Sequence, residues 1–355
     1  MDAELGIHWK RAAKIDKSLS CSGAVLKGLA KHKLPSQEYS RRRLFSAIAR
    51  QEPILFHDFP LRSTLNPFFK DGVDSACRLR ALFKAPTKTL TRAGPAKRAR
   101  YLRIHKVIDI WERNRAILSA NDVFFRISKL DQVFDCAAIS DFNILPTAPP
   151  RINHLEVATL LMGTAGCMTD SHSDDPDGCN HCVEGKKLWL VWDRREGQAR
   201  GLEDCEYDDV HTQARFSVKA FLQVQSAKWF LVSEGQTVFL PGNLTHKVIT
   251  LERYLGISSF YVGLPNALSS LTRWKINGTI MVTDEYRNEI MKLLTKRLDQ
   301  VVASNGQIKE RWGFYHLKEA LSFWEQRYPR SQREEMRSNS RFRELADKIS
   351  LHSGQ

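Results

Sequence analysis

Short apolar or alternating runs of residues, separated by Gly, Pro, Asp and Asn, fill the chain between positions 155 and 263. Short runs between turn signals are typical of β-strands, and many of them in succession indicate a barrel or a sandwich. The middle of the chain is therefore predicted to be an all-β core. The predicted strands are 157–162, 187–192, 221–225, 228–232, 237–240, 247–250 and 254–262.

The sequence before this core is predicted to be mostly helical. Residues 1–50 favour helices with basic faces, and apolar residues recur with a helical period over 104–119. A short apolar run at 53–59 predicts one strand. The mixture of Pro, Gly, Thr and Lys over 85–100 predicts an exposed loop.

The sequence after the core also favours helices. Beyond Pro265, apolar residues return at spacings of three and four, which predicts helices over 285–302, 308–328 and 332–349. We expect this part to act as a helical cap or a dimerisation element. The chain is thus predicted to be an α+β protein with a mainly β core. Its predicted regions are a basic N-terminal region at 1–110, the core at 111–265 and a C-terminal helical region at 266–355.

Composition indicates a protein without a membrane span. The 355 residues are 42% hydrophobic, enough for a sizeable core. No run of eighteen or more apolar residues is present, and the first residues do not resemble a signal peptide. The seven cysteines are odd in number and thinly spread, which argues against a secreted disulfide framework and favours a reducing compartment inside the cell.

Positive charge is concentrated in the N-terminal third. The chain carries a formal charge of +14, and residues 1–110 hold 23 Lys and Arg against 9 Asp and Glu. This favours an acidic partner such as nucleic acid or a nucleosome surface, although a solvated helical face explains the same charges. The densest points are Arg41, Arg42, Arg43, Lys97, Arg98, Arg100, Arg103 and Lys106.

A His and an Asp two positions apart suggest a metal site. His172 and Asp174 would point to the same side of a strand, so both can bind one ion. His246, inside the run 238–248, offers a third ligand from another strand. Two histidines and one carboxylate leave three coordination positions open, an arrangement that suits non-haem Fe(II) reacting with dioxygen.

Such an iron requires an electron donor, and in this chemistry the donor is a 2-oxo acid. Its distal carboxylate needs a fixed cation and a hydroxyl group. Thr169 precedes His172 in the same predicted strand, and Lys187 begins the next apolar run. A lysine that faces the interior of a barrel is costly unless it is paired with an anion.

Three stretches together resemble the JmjC family of cupin-like Fe(II)/2-oxoglutarate dioxygenases. They are 161–174 with Thr-Asp-x-His-x-Asp, 183–189 with Gly-x-Lys, and 234–248 with Gly-Gln-Thr-x-Phe-Leu-Pro followed by the distal His. The order and spacing are most similar to the branch that contains the plant-homeodomain-finger and F-box lysine demethylases.

The resemblance implies a double-stranded β-helix, or jelly roll, flanked by N- and C-terminal helices. It implies that His172, Asp174 and His246 are catalytic iron ligands and that Thr169 and Lys187 bind 2-oxoglutarate. Such an enzyme consumes dioxygen, converts 2-oxoglutarate to succinate and hydroxylates a C–H bond. With the basic N-terminal third, it favours a methylated lysine of a histone or other chromatin protein as substrate, possible contact with nucleic acid and a nuclear location.

Several alternatives stay open at this point. The same chemistry serves a hydroxylase of proteins or small molecules, and a non-catalytic JmjC-like module could bind nucleic acid or chromatin. Lys186 could replace Lys187 through a register slip of one residue. Cys179, His181 and Cys182 could form a zinc site, although free cysteines packed on small strands explain them more simply.

Overall fold

The strands and helices of this chain segregate into a β core and flanking helices. The computed structural model describes residues 3–60, 74–83, 88–93, 98–124, 159–174, 177–204, 214–242, 244–261, 284–304, 316–327 and 330–352. These residues form a mixed α+β fold with a large antiparallel β core, which confirms the predicted class. Within the described parts of the chain, no helix is long and apolar enough to cross a membrane.

Thirteen strands in the described residues form two sheets. They are β1 (Ser36–Gln37), β2 (Ile54–Phe56), β3 (Lys88–Ala93), β4 (Arg98–Arg103), β5 (Leu118–Phe124), β6 (Thr159–Gly163), β7 (Met168–Ser173), β8 (Asp177–Glu184), β9 (Lys186–Asp193), β10 (Lys228–Ser233), β11 (Thr237–Leu240), β12 (Leu244–Thr250) and β13 (Tyr254–Tyr261). The larger sheet has the order β1-β2-β11-β8-β13-β6-β5-β3-β4, and the smaller sheet has the order β10-β9-β12-β7. All pairings are antiparallel except that between β1 and β2.

The helices come from both flanks and from the loops of the core. They are α1 (Ala3–Ile15), α2 (Gly23–Leu29), α3 (Arg41–Ala49), α4 (Ser75–Leu82), α5 (Ile104–Arg113), α6 (Arg194–Ala199), α7 (Val218–Phe221), α8 (Asp284–Ala303), α9 (Leu317–Arg327), α10 (Arg330–Ser338) and α11 (Ser340–His352). Helix α9 packs near α3, where the rings of Phe45 and His316 lie 6.0 Å apart. The two flanks therefore meet each other.

One apolar cluster joins the two sheets. Leu55 and Tyr254 of the larger sheet are buried together with Trp189, Phe230 and Val248 of the smaller sheet. Because side chains alternate along a strand, each of these strands sends every second residue into this cluster. The inner faces of the two sheets thus enclose a common interior.

The outer face of the smaller sheet is also buried. Leu188, Leu190 and Trp192 of β9 alternate with the inward residues and pack in a cluster that includes Trp9 of α1 and Leu19. A strand covered on both faces must be apolar at nearly every position, which explains the continuous apolar run of β9. The N-terminal helices therefore cover the outer face of the sheet, not its interior.

Most of the strands predicted from apolar runs are confirmed. The predictions at 187–192, 228–232, 237–240 and 247–250 fall within β9 to β12. Those at 157–162 and 254–262 match β6 and β13, apart from positions 157, 158 and 262, which lie outside the described residues. Helices over residues 1–50 and the strand at 53–59 are confirmed by α1 to α3 and by β2.

The loop predicted over 85–100 is wrong at 88–93 and 98–100, which lie in β3 and β4, while 85–87 and 94–97 lie outside the described residues. Strands β3 and β4 pair across this stretch as an antiparallel hairpin. Thr89 and Thr91 of β3 are buried and alternate with exposed residues. The buried positions of this strand are thus occupied by threonines. A prediction that relies on apolar residues therefore does not detect the alternation of buried and exposed residues.

Two predicted helices are shorter than expected. The helix predicted over 104–119 ends at Arg113, because Asn114 adopts a left-handed backbone conformation with φ 48°. The chain then continues as β5. The single helix predicted over 332–349 is divided at Asn339, whose side chain accepts hydrogen bonds from backbone groups of α11.

The strand predicted at 221–225 is also wrong. This stretch begins at Phe221, the last residue of α7, and continues as turns. The first turn of α7 is capped by Ser217, whose Oγ accepts from the backbone N–H of Ala220. Strand β8 is absent from the predictions because its polar, Gly- and Cys-rich sequence lacks an apolar run. The division into three regions at 110 and 265 stays a prediction.

Candidate metal centre

Three side chains that could together hold a metal ion meet where strand β7 ends and the neighbouring strand β12 begins. His172 in β7, Asp174 just beyond β7 and His246 in β12 each bring one ligand atom to within 4.8 Å of the other two. The Nε2 atom of His246 lies 3.7 Å from Oδ2 of Asp174. The centroids of the two imidazole rings lie 4.2 Å apart. Among the residues that the structure describes, this group is the one set of His, Cys, Asp and Glu that could hold a metal ion.

Both imidazoles turn Nδ1 toward the backbone. Nδ1 of His172 lies 2.8 Å from the carbonyl oxygen of Asp170, and Nδ1 of His246 lies 3.3 Å from that of Leu244. A carbonyl oxygen only accepts, so each Nδ1 carries the proton and donates it. In the neutral tautomer that this bond favours, Nε2 offers a lone pair, which is the form of histidine that binds metals.

The surroundings of His246 favour its neutral form. Burial, reinforced by the neighbouring His172, lowers the pKa of His246 to about 4. The ring also stacks on Trp189, with 5.5 Å between centroids. At neutral pH this imidazole is therefore ready to bind a metal without first losing a proton.

A β-bulge brings Thr169 to the face that carries the ligands. Thr169 and His172 are three residues apart, which in a regular strand would place them on opposite faces. The pairing of β7 with β12 shifts between them, so that His172 lies opposite His246 and Thr169 lies opposite Val248. One extra residue in β7 thus returns Thr169 to the inner face.

Lys187 lies deeper in the same interior. Its side chain is only 5% exposed, and its Nζ lies 4.1 Å from the centroid of the Tyr254 ring. Burial lowers the pKa of Lys187 to about 8, and no carboxylate of the described residues opposes this effect. An ammonium group that is buried without a counter-ion is costly, so this environment suits an anionic ligand.

Lys186 points away from the interior. Its Nζ lies 3.5 Å from Oε1 of Glu252, and its side chain is 23% exposed. Of the two candidate lysines, the structure therefore places Lys187 inside. Tyr254, which contacts Lys187, donates its hydroxyl to Oδ1 of Asn180 at 2.7 Å. Sequence reasoning misses Tyr254 and Asn180 as neighbours of the site, because both lie on strands of the opposite sheet.

A carboxylate on the outer face links the two ligand strands. Asp204 accepts hydrogen bonds from the hydroxyl of Ser173 at 3.1 Å and from that of Thr245 at 3.0 Å. Ser173 stands between His172 and Asp174, and Thr245 directly precedes His246. Arg194 forms an ion pair with Asp204 at 2.7 Å. Asp204 thus fixes β7 to β12 at the level of the metal ligands.

A buried ion network lies beside it on the outer face. Nζ of Lys247 is 2.6 Å from Oδ1 of Asp170 and 2.9 Å from Oδ2 of Asp16. Burial acts to raise the pKa of Asp16, but the charge and hydrogen bond of Lys247 outweigh it and lower that pKa. The carbonyl of Asp170 is the one that accepts from His172. The network therefore connects the residue after α1 to the backbone that orients a metal ligand.

The cysteines of β8 do not assemble a metal site with His181. Cys179 belongs to the cluster outside the larger sheet, whereas Cys182 belongs to the cluster between the sheets. Nδ1 of His181 lies 2.8 Å from Oγ1 of Thr237, and burial lowers the pKa of His181 to about 4. The spacing of three places the two thiols on opposite faces of β8, so within the described residues this alternative finds no support.

A groove of about 810 Å³ lies between α3 and the strand ends near the metal centre. Gly242 and Leu244, which precede the ligand His246, form part of its wall, together with Arg42 and Arg43 of α3. Carboxylates line the groove as well. These two predicted basic contact points therefore face a groove of mixed charge.

No protein-family model matches the sequence, and no curated protein is significantly similar to it. What the chain itself establishes is a mixed α+β fold in which two histidines and an aspartate form a group that could hold a metal ion.

Proposed function

We propose that this chain is an Fe(II)- and 2-oxoglutarate-dependent dioxygenase of the JmjC type. One observation carries the proposal: a His–Asp–His group shares the inner face of one sheet with a buried lysine that no carboxylate of the described residues neutralises. A metal-binding group alone suits several ions and roles. The buried Lys187 distinguishes this site from other metal sites, because a dioxygenase of this kind must hold a dicarboxylate beside its metal.

The positions of the two features support this pairing. His246 and Lys187 project from neighbouring strands β12 and β9 on the inner side. The charge of Lys187 contributes to the low pKa of His246, so the two groups lie within electrostatic reach. A dicarboxylate that spans the two groups would place one carboxylate at the metal and the other beside Lys187. The second carboxylate would neutralise the positive charge of Lys187.

The arrangement of strands supports the double-stranded β-helix that the resemblance implies. From β6 to β9 successive strands alternate between the larger and the smaller sheet, and β11 to β13 alternate again. The two sheets enclose one apolar cluster. Such alternation is what a chain wound into a double-stranded β-helix produces.

The donor set fits Fe(II). Two neutral imidazoles and one carboxylate are the ligands of the facial arrangement that leaves positions open on non-haem iron. His172, Asp174 and His246 would hold the ion. When bound with 2-oxoglutarate and dioxygen, iron supplies the oxidation of a C–H bond, with succinate and carbon dioxide as the other products.

The remaining residues bind and orient the co-substrate. Lys187 would form an ion pair with the distal carboxylate, in an interior where the pair is weakly screened. Thr169, on the same inner face, would donate a hydrogen bond to that carboxylate. Trp189, which stacks on His246, and Val248 are buried on the same inner face and would keep water from the site.

We infer that the substrate carbon is an N-methyl group of lysine in a histone or other chromatin protein. This inference rests on the resemblance and on the positive charge of the N-terminal third. Hydroxylation of an N-methyl carbon gives a hemiaminal that releases formaldehyde, whereas hydroxylation of another carbon leaves a stable alcohol. Formaldehyde release with methylated histone peptides, compared with unmethylated ones, therefore distinguishes a demethylase from a hydroxylase.

Equilibrium binding tests the proposal before any turnover is needed. Under nitrogen, calorimetry measures the affinity for Fe(II) and then for 2-oxoglutarate, using wild type, His172→Ala, His246→Ala and Lys187→Met. We expect both histidine variants to lose the metal. Lys187→Met should keep the metal and lose about 100-fold in affinity for 2-oxoglutarate, as for a lost charged hydrogen bond.

The control is His105→Ala, because His105 is an exposed histidine on α5, away from the ligand strands. It should bind both ligands as wild type does. Equal Fe(II) binding by wild type and both ligand variants would contradict the proposed metal site. Binding of 2-oxoglutarate that is independent of the metal and of Lys187 would contradict the proposed co-substrate site.

A further inference from the structure

An exposed basic face on the β3–β4 hairpin has no part in the proposed oxidation. Residues 75–108 contain ten Lys and Arg and no Asp or Glu. The hairpin lies within this stretch, at the edge of the larger sheet, with β4 as the outermost strand. A stretch of this length without a single carboxylate has no internal means of neutralising its charge.

Five side chains form the solvent face of the hairpin. Lys88 pairs across the strands with Arg103, and Leu90 pairs with Tyr101, while Arg92 follows on the same face. All five residues are exposed, with Tyr101 at 72%. The face carries cations at its ends and an aromatic ring at its centre.

The other face of the hairpin holds it in place. Thr89 and Thr91 are buried, and Leu102 packs against the core cluster outside the larger sheet. Oγ1 of Thr91 donates to the carbonyl oxygen of Arg100. The basic face is therefore presented by a strand pair that is anchored to the core.

The cations of this face lack partners within the described parts of the chain. No carboxylate there forms an ion pair with Lys88, Arg92 or Arg103. Arg80 of α4 behaves differently, because it pairs with both Asp109 and Glu112. Asp109 and Glu112, the first acidic residues after the hairpin in sequence, are thus already paired.

We propose that this face binds single-stranded nucleic acid. Lys88, Arg92 and Arg103 would contact phosphates, and the exposed ring of Tyr101 would stack on an unpaired base. Cations that follow a backbone combined with an aromatic platform are the combination that single-stranded nucleic acids require. An acidic polypeptide would use the cations but would leave Tyr101 without a planar partner. The proposal does not depend on the dioxygenase activity.

Fluorescence anisotropy with labelled dT and U oligonucleotides, measured over a range of salt concentrations, tests this proposal. The first variant combines Arg92→Gln with Arg103→Gln, and the matched control combines Arg341→Gln with Arg343→Gln on exposed positions of α11. We expect only the hairpin variant to bind more weakly. The slope of the logarithm of the binding constant against the logarithm of the salt concentration should decrease in magnitude by about 1.4. Each phosphate contact on a single strand contributes about 0.7, and the variant removes two.

Tyr101 supplies the second comparison. Tyr101→Ser should weaken binding about tenfold, as for a lost base–aromatic stack, whereas Tyr101→Phe should bind as wild type does. His172→Ala should bind the oligonucleotides normally, so that failure of the dioxygenase proposal and failure of this one are distinguishable. Unchanged melting temperatures show that each variant is folded.

Three results would overturn the proposal. Oligonucleotide binding could be the same in wild type and in the hairpin variant. Poly-glutamate could bind equally well and lose nothing in Tyr101→Ser, which would identify an acidic protein as the partner. The hairpin variant could aggregate while its affinity stays unchanged, which would show that the cations serve only to protect the edge strand from pairing with other chains.

Discussion

Lys187 combines an unfavourable position with a proposed role. Its ammonium group lies among Tyr254, Cys167 and Cys182, and burial lowers its pKa from 10.5 to about 8. Each unit of such a shift corresponds to about 1.4 kcal/mol of differential interaction. In the free protein the charge therefore destabilises the fold, and a bound carboxylate would remove that cost.

Replacement of Lys187 by Met is expected to separate stability from binding. At pH 7, where the side chain is charged in both the folded and unfolded states, the variant should gain about 3 kcal/mol in free energy of unfolding. It should also bind 2-oxoglutarate about 100-fold more weakly. Urea unfolding measures the first effect, and Lys186→Met, which removes only a half-exposed ion pair, is the control. A loss of stability in Lys187→Met would contradict the absence of a counter-ion.

The affinity for 2-oxoglutarate is expected to depend on pH through Lys187. Below about pH 8 the group is protonated and the affinity should be constant. Above that pH the free protein loses the charge, so the affinity should fall about tenfold per pH unit. Burial raises the pKa of Cys182 to about 12 and also raises the pKa of Tyr254, so both groups stay neutral in this range.

Calorimetric titrations from pH 6.5 to 9.5 measure this dependence. Cys167 also faces Lys187, so Cys167→Ser is included and should show the same profile as wild type. If the affinity for 2-oxoglutarate falls with pH in Cys167→Ser as it does in wild type, and does not fall in Lys187→Met, the titrating group is the lysine. A flat profile in wild type would show that Lys187 does not contact the co-substrate.

At the scale of strands, Asp204 is expected to maintain metal affinity without touching the metal. Asp204→Asn keeps the size of the side chain but removes the charge that holds Ser173, Thr245 and Arg194. We expect about a tenfold loss in Fe(II) affinity, at the lower end of the range for residues that orient metal ligands. Glu203→Gln changes the neighbouring residue, whose carboxylate accepts a hydrogen bond from the backbone N–H of Arg215, and should bind Fe(II) normally. Equal affinities in both variants would limit Asp204 to a structural role.

The outer ion network is expected to make the attachment of α1 sensitive to acid. Lys247→Met leaves Asp16 and Asp170 buried without a cation, which should lower the free energy of unfolding by about 3–5 kcal/mol at pH 7. The pKa of Asp16 is below its ordinary value of 3.8 in the folded protein. Its stabilising effect is therefore present above that pH and is lost as the pH falls through the lowered value.

The difference between wild type and Lys247→Met should accordingly shrink between pH 5 and pH 2. Urea unfolding at several pH values measures it. A difference that stays constant over this range would mean that Asp16 and Asp170 do not contribute through their charges.

The elements of the core illustrate what sequence patterns can and cannot predict. Strand β9 is predictable because it is buried on both faces and its apolar run is continuous. Strand β3 is not, because threonines occupy its buried positions. The ligands His172 and Asp174 follow from a spacing of two, but the approach of Thr169 depends on a bulge that only the pairing with β12 reveals.

The residues around the site show the same limit. Lys187 is predicted to contact 2-oxoglutarate. Whether Lys187 or Lys186 faces the interior, however, depends on the register of β9, which the sequence leaves open. Tyr254 and Asp204 reach the site from other elements through contacts between residues far apart in the chain. No local pattern marks such residues. Their role arises from the packing of the two sheets against each other and from the position of Asp204 beside β7 and β12.

For the whole molecule, ligand binding is expected to stabilise the fold. Metal and 2-oxoglutarate would bind only where β7, β9 and β12 are assembled, so they favour the folded state. At 100 times the dissociation constant, one ligand contributes about 2.7 kcal/mol. Fe(II) with 2-oxoglutarate, added under nitrogen, should therefore raise the melting temperature by a few degrees in wild type and leave His246→Ala unchanged. Equal shifts in both proteins would indicate binding elsewhere.

The flanking regions extend the core in different ways. The N-terminal helices cover the outer face of the smaller sheet and contribute Asp16 to the network beside the ligands. The C-terminal helices contact α3 through His316 and Glu319. The predicted homodimer through the C-terminal helices and the predicted nuclear location stay predictions, since they depend on partners and compartments beyond the single chain.

The most direct test of the central proposal is the conversion of 2-oxoglutarate to succinate by purified protein supplied with Fe(II) and oxygen. Wild type should form succinate in amounts that depend on both additions, and methylated histone peptides should increase the rate. His172→Ala should form none, and Lys187→Met should form much less than wild type at the same concentration of 2-oxoglutarate, whereas Lys186→Met should retain the activity. Succinate formation that persists in His172→Ala, or its absence from wild type that binds both Fe(II) and 2-oxoglutarate, would contradict the dioxygenase proposal.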